Sequence, residues 1–355
     1  METDLAGLCH EMVAIPSVSH DEAKLAGFVE SYLSEVAGLG VSRLGNNIIA
    51  KSISHRSNNI VIAGHLDTVP PDDNQVPYLK DGRIYGLGSS DMKAGLAVML
   101  GLAGIASSFS VGTTFIFYAR EEVVASQSGL LEIERMRPDV LWSDAAVLME
   151  PTSGRVEAGC QGTMRVNIEV RGKRAHTARP WAGVNAVHRL GGFISRIADV
   201  ALDNPIIAGL QFQEALQIVK VTGGVANNVV PDLATMVVNH RFAPDKDVDS
   251  AFAFVSSLVG DLLELENGDA IRLEEGVPGA VPYLDNEFIS KLVEVSGEPP
   301  RAKLGWTDVA FFSARGIPAT NFGPGDPLVA HTKDEFVEIS EIESVFSSMR
   351  AVLGG

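Results

Sequence analysis

Positive charge is in short supply in this chain. Its 355 residues carry 28 lysines and arginines against 45 aspartates and glutamates, a net charge of −17. That deficit argues against nucleic acid and against an anionic membrane as partners. Cysteine is scarcer still. Cys9 and Cys160 are the only two, too few for a disulfide framework and in keeping with a reducing compartment. Cys160 reads as a small buried residue rather than a ligand. Long apolar runs are missing as well. The longest, Ala94 to Ala106, has 13 residues and three glycines, so it is expected as a buried helix and not as a membrane span. The segment Met1-Glu2-Thr3-Asp4 has neither the basic nor the apolar region of a signal peptide, and a cytoplasmic location is expected. Short repeats and low-complexity tracts are absent. The remaining composition, 46% hydrophobic and 21% charged, is that of a globular protein. The length favours two domains over one core.

Against this background one stretch stands out, residues 59–93. Ile60-Val61-Ile62-Ala63 is β-branched, apolar and bounded by Asn58-Asn59 and Gly64, which predicts a short buried strand. His65-Leu66-Asp67 follows at its end, then Pro70-Pro71. Leu79 to Tyr85 predicts a hairpin around Asp81-Gly82. A second acid, Asp91, follows the loop Gly86-Leu87-Gly88-Ser89-Ser90 and precedes the apolar helix. Imidazole and carboxylate at a strand end suit Zn²⁺, Mn²⁺ or Co²⁺.

The pattern repeats. Thr113 to Ala119 is another buried strand and runs into Arg120-Glu121-Glu122; Ala145 to Met149 runs into Glu150. Two adjacent glutamates repel each other unless something holds them there. Helices are expected within 4–37 and around 127–137, with a strand pair about Gly45-Asn46-Asn47. Strands alternating with helices argue for a largely parallel sheet with right-handed crossovers, whose C-terminal edge is where ligands bind. After about residue 163 the texture changes. Met164 to Val170, Ala215 to Val221 and Thr235 to Phe242 alternate apolar and polar residues, as half-exposed antiparallel strands do. Helices are expected at 185–200 and 248–265. From about 269 the earlier style returns. The expected organisation is a catalytic α/β domain in two parts, 1–163 and 269–355, with an α+β domain, 164–268, inserted between them.

The strand-end candidates are His65, Asp67, Asp91, Glu121, Glu122, Glu150 and His331. Two Zn²⁺ ions sharing one carboxylate need about five protein ligands. The set supplies them, with one acid left as a base and one to orient a histidine. The other histidines, His10, His20, His55, His188 and His240, read as structural or solvated.

These residues match a pattern. Gly-His-x-Asp-Thr-Val-Pro stands at 64–70, Gly-x-Gly-x-x-Asp-Met-Lys at 86–93, the Glu-Glu pair at 121–122, Glu-Pro-Thr at 150–152 and Ala-His-Thr-Lys-Asp-Glu at 330–335. In order and spacing the chain resembles the co-catalytic zinc peptidases and deacylases that include acetylornithine deacetylase, aminoacylase and succinyl-diaminopimelate desuccinylase. Within that family it is most similar to the actinobacterial desuccinylase branch. Carriers of that likeness are Glu157 to Thr163, Arg174-Ala175-His176, Asn239 to Asp245, Gly305-Trp306-Thr307-Asp308 and Asn321 to Pro327. Leu87 departs from the family, which usually has arginine there, and Ala119-Arg120 replaces the polar pair usual before Glu-Glu.

The resemblance implies a mostly parallel zinc-hydrolase domain with an inserted dimerisation domain. It implies two divalent ions, Zn²⁺ with Co²⁺ able to substitute: His65 and Glu150 on one, Glu122 and His331 on the other, Asp91 bridging. Asp67 would accept the other ring N–H of His65, and Glu121 would be the general base. In the family a partner subunit's histidine closes over the substrate, and His176 matches it as a donor to the developing oxyanion. Asn227, Asn228 and Arg241 match positions that bind substrate carboxylates, and Thr307 a threonine that contacts substrate. The implied partners are a small N-acyl amino acid and a second copy of the chain. The implied reaction is hydrolysis of N-succinyl-LL-2,6-diaminopimelate to succinate and LL-2,6-diaminopimelate, in lysine and diaminopimelate biosynthesis. Acetylornithine deacetylase, aminoacylase or dipeptidase activity is the alternative of the same chemistry. A non-catalytic metal-binding scaffold is the alternative of another class, which would have lost a ligand or the base; none is lost.

Overall fold

A computed structural model describes residues 3–53 and 56–354. His55 lies outside them. The described chain divides into two compact units, Met1–Gly159 with Pro282–Arg301 and Asp308–Gly355, and Cys160–Val281 with Ala302–Thr307.

The larger unit is built on an eight-stranded sheet. Its order is Leu39–Leu44, Asn47–Ser52, Gly112–Tyr118, Asn59–His65, Ala145–Leu148, Ala319–Asn321, Glu157–Ala158, Arg301–Ala302. The four strands in the middle, from Gly112–Tyr118 to Ala319–Asn321, run parallel. Antiparallel pairings flank them: Leu39–Leu44 with Asn47–Ser52, Asn47–Ser52 with Gly112–Tyr118, and Ala319–Asn321 with Glu157–Ala158. The middle strands are apolar on both faces because both faces are covered: Gly112–Tyr118 and Ala145–Leu148 are buried at every residue.

Much of that cover is the helix Ala94–Gly104, buried from Ala94 to Ala103. It touches the helices Leu5–Val13, Ala23–Ser34 and Ile339–Gly354, so it is apolar all round rather than on one stripe. Gly95 lets it come close. A Cβ there would sit 2.3 Å from the Met149 carbonyl oxygen and 2.9 Å from the Met92 methyl. The carbonyl is main chain and cannot swing aside. Gly95→Ala would ordinarily favour a helix. Here it is expected to destabilise the protein by about 1–3 kcal/mol, seen as an earlier thermal unfolding transition. Because Met149 leads directly into Glu150, this packing also sets where Glu150 begins. Among the described residues no helix is long and apolar enough to cross a membrane.

The smaller unit has a four-stranded antiparallel sheet in the order Ala215–Gly223, Leu233–Phe242, Gly162–Arg171, Ala270–Val277. Met164, Val166, Ile168 and Val170 alternate inward against Leu190, Phe193, Ile197, Val255 and Val259 of two helices. Those helices, Ala186–Ala198 and Val248–Val259, begin at Asn185 and Asp247, whose side chains take the first free backbone N–H groups. The boundary expected near 268 falls elsewhere. Ala270–Val277 pairs with Gly162–Arg171 and completes the smaller sheet, which extends this unit to Val281 and adds 302–307. The run Arg272-Leu273-Glu274-Glu275 gives no local sign of this, since pairing rather than pattern decides it.

Candidate active site

The C-terminal ends of the parallel strands carry His65, Glu121, Glu122 and Glu150, while Asp91 and His331 come from other loops of the larger unit. His65 ends strand Asn59–His65 and is 1% exposed. Its Nδ1 lies 2.9 Å from the main-chain oxygen of Asp67. An N–H there leaves the Nε2 lone pair facing inward, 3.1 Å from Asp91 Oδ1 and 4.0 Å from Glu150 Oε1. The Asp91 carboxylate reaches the other way too: His331 Nε2 lies 3.5 Å from its Oδ2 and 2.8 Å from Glu122 Oε1. Two sets of ligand atoms therefore converge, His65/Asp91/Glu150 and Asp91/Glu122/His331, each within 4.8 Å and sharing Asp91. A third set, His65/Glu121/Glu122, meets the same limit. It would claim the His65 nitrogen that the first set already uses.

The electrostatics fit cations. Asp91, Glu121, Glu122 and Glu150 gather four carboxyl groups around two imidazoles. Burial lifts the Glu121 carboxyl well above the usual range; His65 opposes this, and Glu150, Glu122 and Asp308 add to it. Glu121 keeps some solvent contact, yet its surroundings are dense and acidic. Burial disfavours a charged His65, but Asp91 together with Glu121 and Glu150 outweighs it and holds the ring well above its ordinary value. Asp91 and Glu122 bring His331 up to about 10. Both rings are tuned to hold positive charge, and a cation competes with the proton for the same lone pairs.

One expected contact is replaced by another. The Asp67 carboxylate does not take the His65 ring N–H; the nearest pair is 3.8 Å apart, and the Asp67 main-chain oxygen takes its place. The carboxylate instead accepts the backbone N–H groups of Glu121 at 2.9 Å and Glu122 at 3.0 Å, and the Ser19 hydroxyl at 2.7 Å. It thereby fixes the turn that presents both glutamates.

Glu335 is the residue that sequence reasoning passed over. It is 2% exposed and accepts three backbone N–H groups of the loop that carries Asp91. Burial pushes its carboxyl up to about 7, against those hydrogen bonds. Its only signal was its place at the end of Ala-His-Thr-Lys-Asp-Glu. Lys93 is also buried and donates to the Ile15 carbonyl at 2.8 Å, which leaves it out of the donor set.

The remaining candidates lie in the smaller unit. His176 pairs with Val229 in a two-residue ribbon, and the Thr177 N–H donates to the Asn228 carbonyl at 3.1 Å, so His176, Asn227 and Asn228 form one exposed cluster. His176 Nδ1 accepts the Ala178 N–H at 3.0 Å, which places the proton of the neutral ring on Nε2. Arg241 stands at the far end of strand Leu233–Phe242, opposite Thr163, roughly 25 Å along it at about 3.3 Å per residue. Burial, then nearby Arg165, lower its pKa. It does not pair with Asp245 or Asp247, which sit by Lys246 and at a helix cap. Thr307 is buried, its carbonyl 3.7 Å from Cys160 Sγ. One copy of this unit thus brings His176 to the asparagines but not to Arg241.

A largely parallel α/β sheet that gathers imidazoles and carboxylates beyond its strand ends is the architecture of a metal-dependent hydrolase. The chain belongs to peptidase family M20/M25/M40, whose pattern matches residues 61–354. It is 42% identical over 346 residues to a putative succinyl-diaminopimelate desuccinylase of Mycobacterium tuberculosis, covering 97% of this chain and 96% of that protein. It is also 42% identical over 354 residues to the succinyl-diaminopimelate desuccinylase of Corynebacterium glutamicum, covering 98% and 95%. Among solved structures, a tripeptidase from Staphylococcus aureus superposes with a TM-score of 0.82 at 22% identity, covering 100% of this chain and 98% of that one.

Proposed function

We propose that the protein hydrolyses N-succinyl-LL-2,6-diaminopimelate to succinate and LL-2,6-diaminopimelate, in the cytoplasm, as a step of lysine and diaminopimelate biosynthesis. The observation that carries this is identity of 42% over nearly the whole chain to two proteins bearing that name, with the donor sets at the strand ends intact. Arg241 supports an acidic substrate, since a guanidinium meets a carboxylate through two parallel hydrogen bonds; Asn227, Asn228 and Thr307 are proposed as further substrate contacts.

We assign His65, Asp91 and Glu150 to one divalent ion and Asp91, Glu122 and His331 to a second. Zn²⁺ fits this nitrogen–oxygen donor set, and Co²⁺ fits it as a substitute. Such a pair polarises an amide carbonyl and lowers the pKa of an attacking water. Glu121 is left as the base, because His65 has one inward nitrogen and the first set uses it. Glu121 removes the water's proton and returns it to the leaving amine. The Asp67 carboxylate holds Glu121 and Glu122 through their backbone N–H groups. His176, with its proton on Nε2, donates to the oxyanion.

We also propose that the chain acts as a homodimer through the inserted unit. The strand Ala215–Gly223 is a sheet edge with Val219 and Val221 exposed, and Val187 and Ile194 stand out from the adjoining helix; such an edge is a ready site for self-pairing. A dimer also supplies a His176 from a second copy, which one copy cannot bring to its own Arg241.

A panel of N-succinyl-LL-2,6-diaminopimelate, acetylornithine and dipeptides, run on metal-free protein titrated with Zn²⁺, Co²⁺ and Mn²⁺, tests the substrate. The succinylated compound is expected to have the highest kcat/KM, by at least about tenfold. Equal or better turnover of acetylornithine or a dipeptide would move the assignment to that substrate.

A further inference from the structure

We propose that Glu335 is a positioning residue for the metal centre, clamping the loop that presents Asp91 and tying it to the segment that presents His331. The inference rests on the reading that Asp91, Glu122 and His331 hold a cation.

The clamp follows from register. Strand Phe336–Glu338 runs antiparallel to Arg83–Tyr85, with Phe336 opposite Tyr85. One step further along sets Glu335 against Gly86, whose N–H donates to the Glu335 carbonyl at 3.1 Å. The strands part at this point. Gly86 has φ 141° and Gly88 φ 77°, left-handed backbone that turns the loop out of any ladder. The N–H groups beyond it need other partners, because a buried amide left unpaired is costly.

The Glu335 side chain follows the loop and supplies them. Its Oε2 accepts the Gly88 N–H at 2.9 Å, and its Oε1 accepts those of Ser90 at 2.9 Å and Asp91 at 3.0 Å. The third bond matters most. It fixes the main chain of the residue whose carboxylate faces His65 on one side and His331 on the other. A ring of contacts closes: His331, three residues of chain, Glu335, the Asp91 N–H, the Asp91 carboxylate, His331. Other bonds hold the loop, among them Ser90 Oγ to the Asp326 carbonyl and the Lys93 N–H to the Gly88 carbonyl. None of these grips Asp91 itself. The arrangement parallels Asp67, which accepts the N–H groups of Glu121 and Glu122. The loop that carries Asp91 and the turn that carries Glu121 and Glu122 are thus each held by one buried carboxylate.

The test uses the full-length protein and Zn²⁺ or Co²⁺ alone. Metal-free wild type, Glu335→Ala, Glu335→Gln and Glu338→Gln are titrated calorimetrically with Zn²⁺, their Co²⁺ complexes are read by visible absorption, and their metal-free melting is recorded. Glu335→Ala is expected to weaken binding of at least one ion by about 10–100-fold and to alter the Co²⁺ spectrum. Glu335→Gln keeps an oxygen for Ser90 and Asp91 but sets an NH₂ against the Gly88 N–H. Its expected loss is smaller, about three- to tenfold. Glu338 touches Arg83 on the neighbouring strand, and Glu338→Gln should bind as wild type does. Should Glu335→Ala fail to fold, Glu335→Gln decides. Glu335 variants with both affinities within about twofold of wild type and an unchanged Co²⁺ spectrum overturn the inference, whatever their melting temperature. Wild type that takes up no pair of ions overturns the metal-site reading, and the inference with it.

Discussion

Glu121→Gln is expected to lower kcat by about 10²–10⁴-fold, the range for loss of a positioned general base, with both metal ions retained. Glutamine keeps the size of the side chain and cannot accept the proton. The sharper measurement is therefore metal content beside turnover. Glu121 belongs to a donor set with His65 and Glu122, so a metal role is a real competitor. If Glu121→Gln loses an ion in proportion to its activity, Glu121 is a ligand and the base must be sought elsewhere. If metal stays at two per chain while kcat falls and KM is little changed, the missing interaction is one made in the transition state. The dense acidic surroundings of Glu121 argue for the second outcome. Burial first, and then the neighbouring carboxyl groups, hold its carboxyl well above the usual range, a direction that suits a group that both takes and returns a proton.

Asp91→Asn is expected to have an effect as large, by a different route. Both Asp91 oxygens are committed, Oδ1 towards His65 and Oδ2 towards His331. An amide offers one oxygen and no charge, so it cannot serve two cations at once. Each ion should bind more weakly by more than the roughly 10–100-fold typical of an outer-shell partner, and turnover should depend steeply on added metal. Elemental analysis after gel filtration reads the stoichiometry, and activity against free Zn²⁺ reads the affinity. An Asp91→Asn enzyme that kept both ions through filtration would remove Asp91 from the bridging position. The comparison with Glu335→Ala separates a ligand from its support, because only the ligand's loss removes a bridging charge.

What could be read from the chain alone divides along a physical line. His65, Glu121, Glu122 and Glu150 were legible because each follows a buried strand whose apolar run is local, so the position of the donor follows from where the run stops. Their gathering follows from parallel pairing of neighbouring strands, which alternating strands and helices already imply. The supports were not legible. Glu335 meets Ser90 across 245 residues of sequence, and Asp67 meets Glu121 across 54; both contacts depend on register and loop conformation that no pattern of residue types encodes. The same holds for Ala270–Val277. Its mixed polar face fits either unit, and only pairing with Gly162–Arg171 places it. For Asp67 the sequence pointed to the right residue and the wrong group: the main-chain oxygen orients His65, and the carboxylate serves the glutamates.

The placement of Ala319–Asn321 has a consequence for how the protein is made. This strand lies inside the large sheet, between Ala145–Leu148 and Glu157–Ala158, yet it is synthesised roughly 160 residues later. At ribosomal rates of about 5–20 residues per second, Ala145–Leu148 waits roughly 10–30 s with one edge open. Over that interval the smaller unit, most of which comes off the ribosome first, can fold by itself. His331 and Glu335 emerge later still, so the nascent chain lacks the second proposed donor set, Asp91/Glu122/His331, until residue 331 is made. Chains released early would carry an open, apolar strand edge and only one of the two proposed donor sets, His65/Asp91/Glu150.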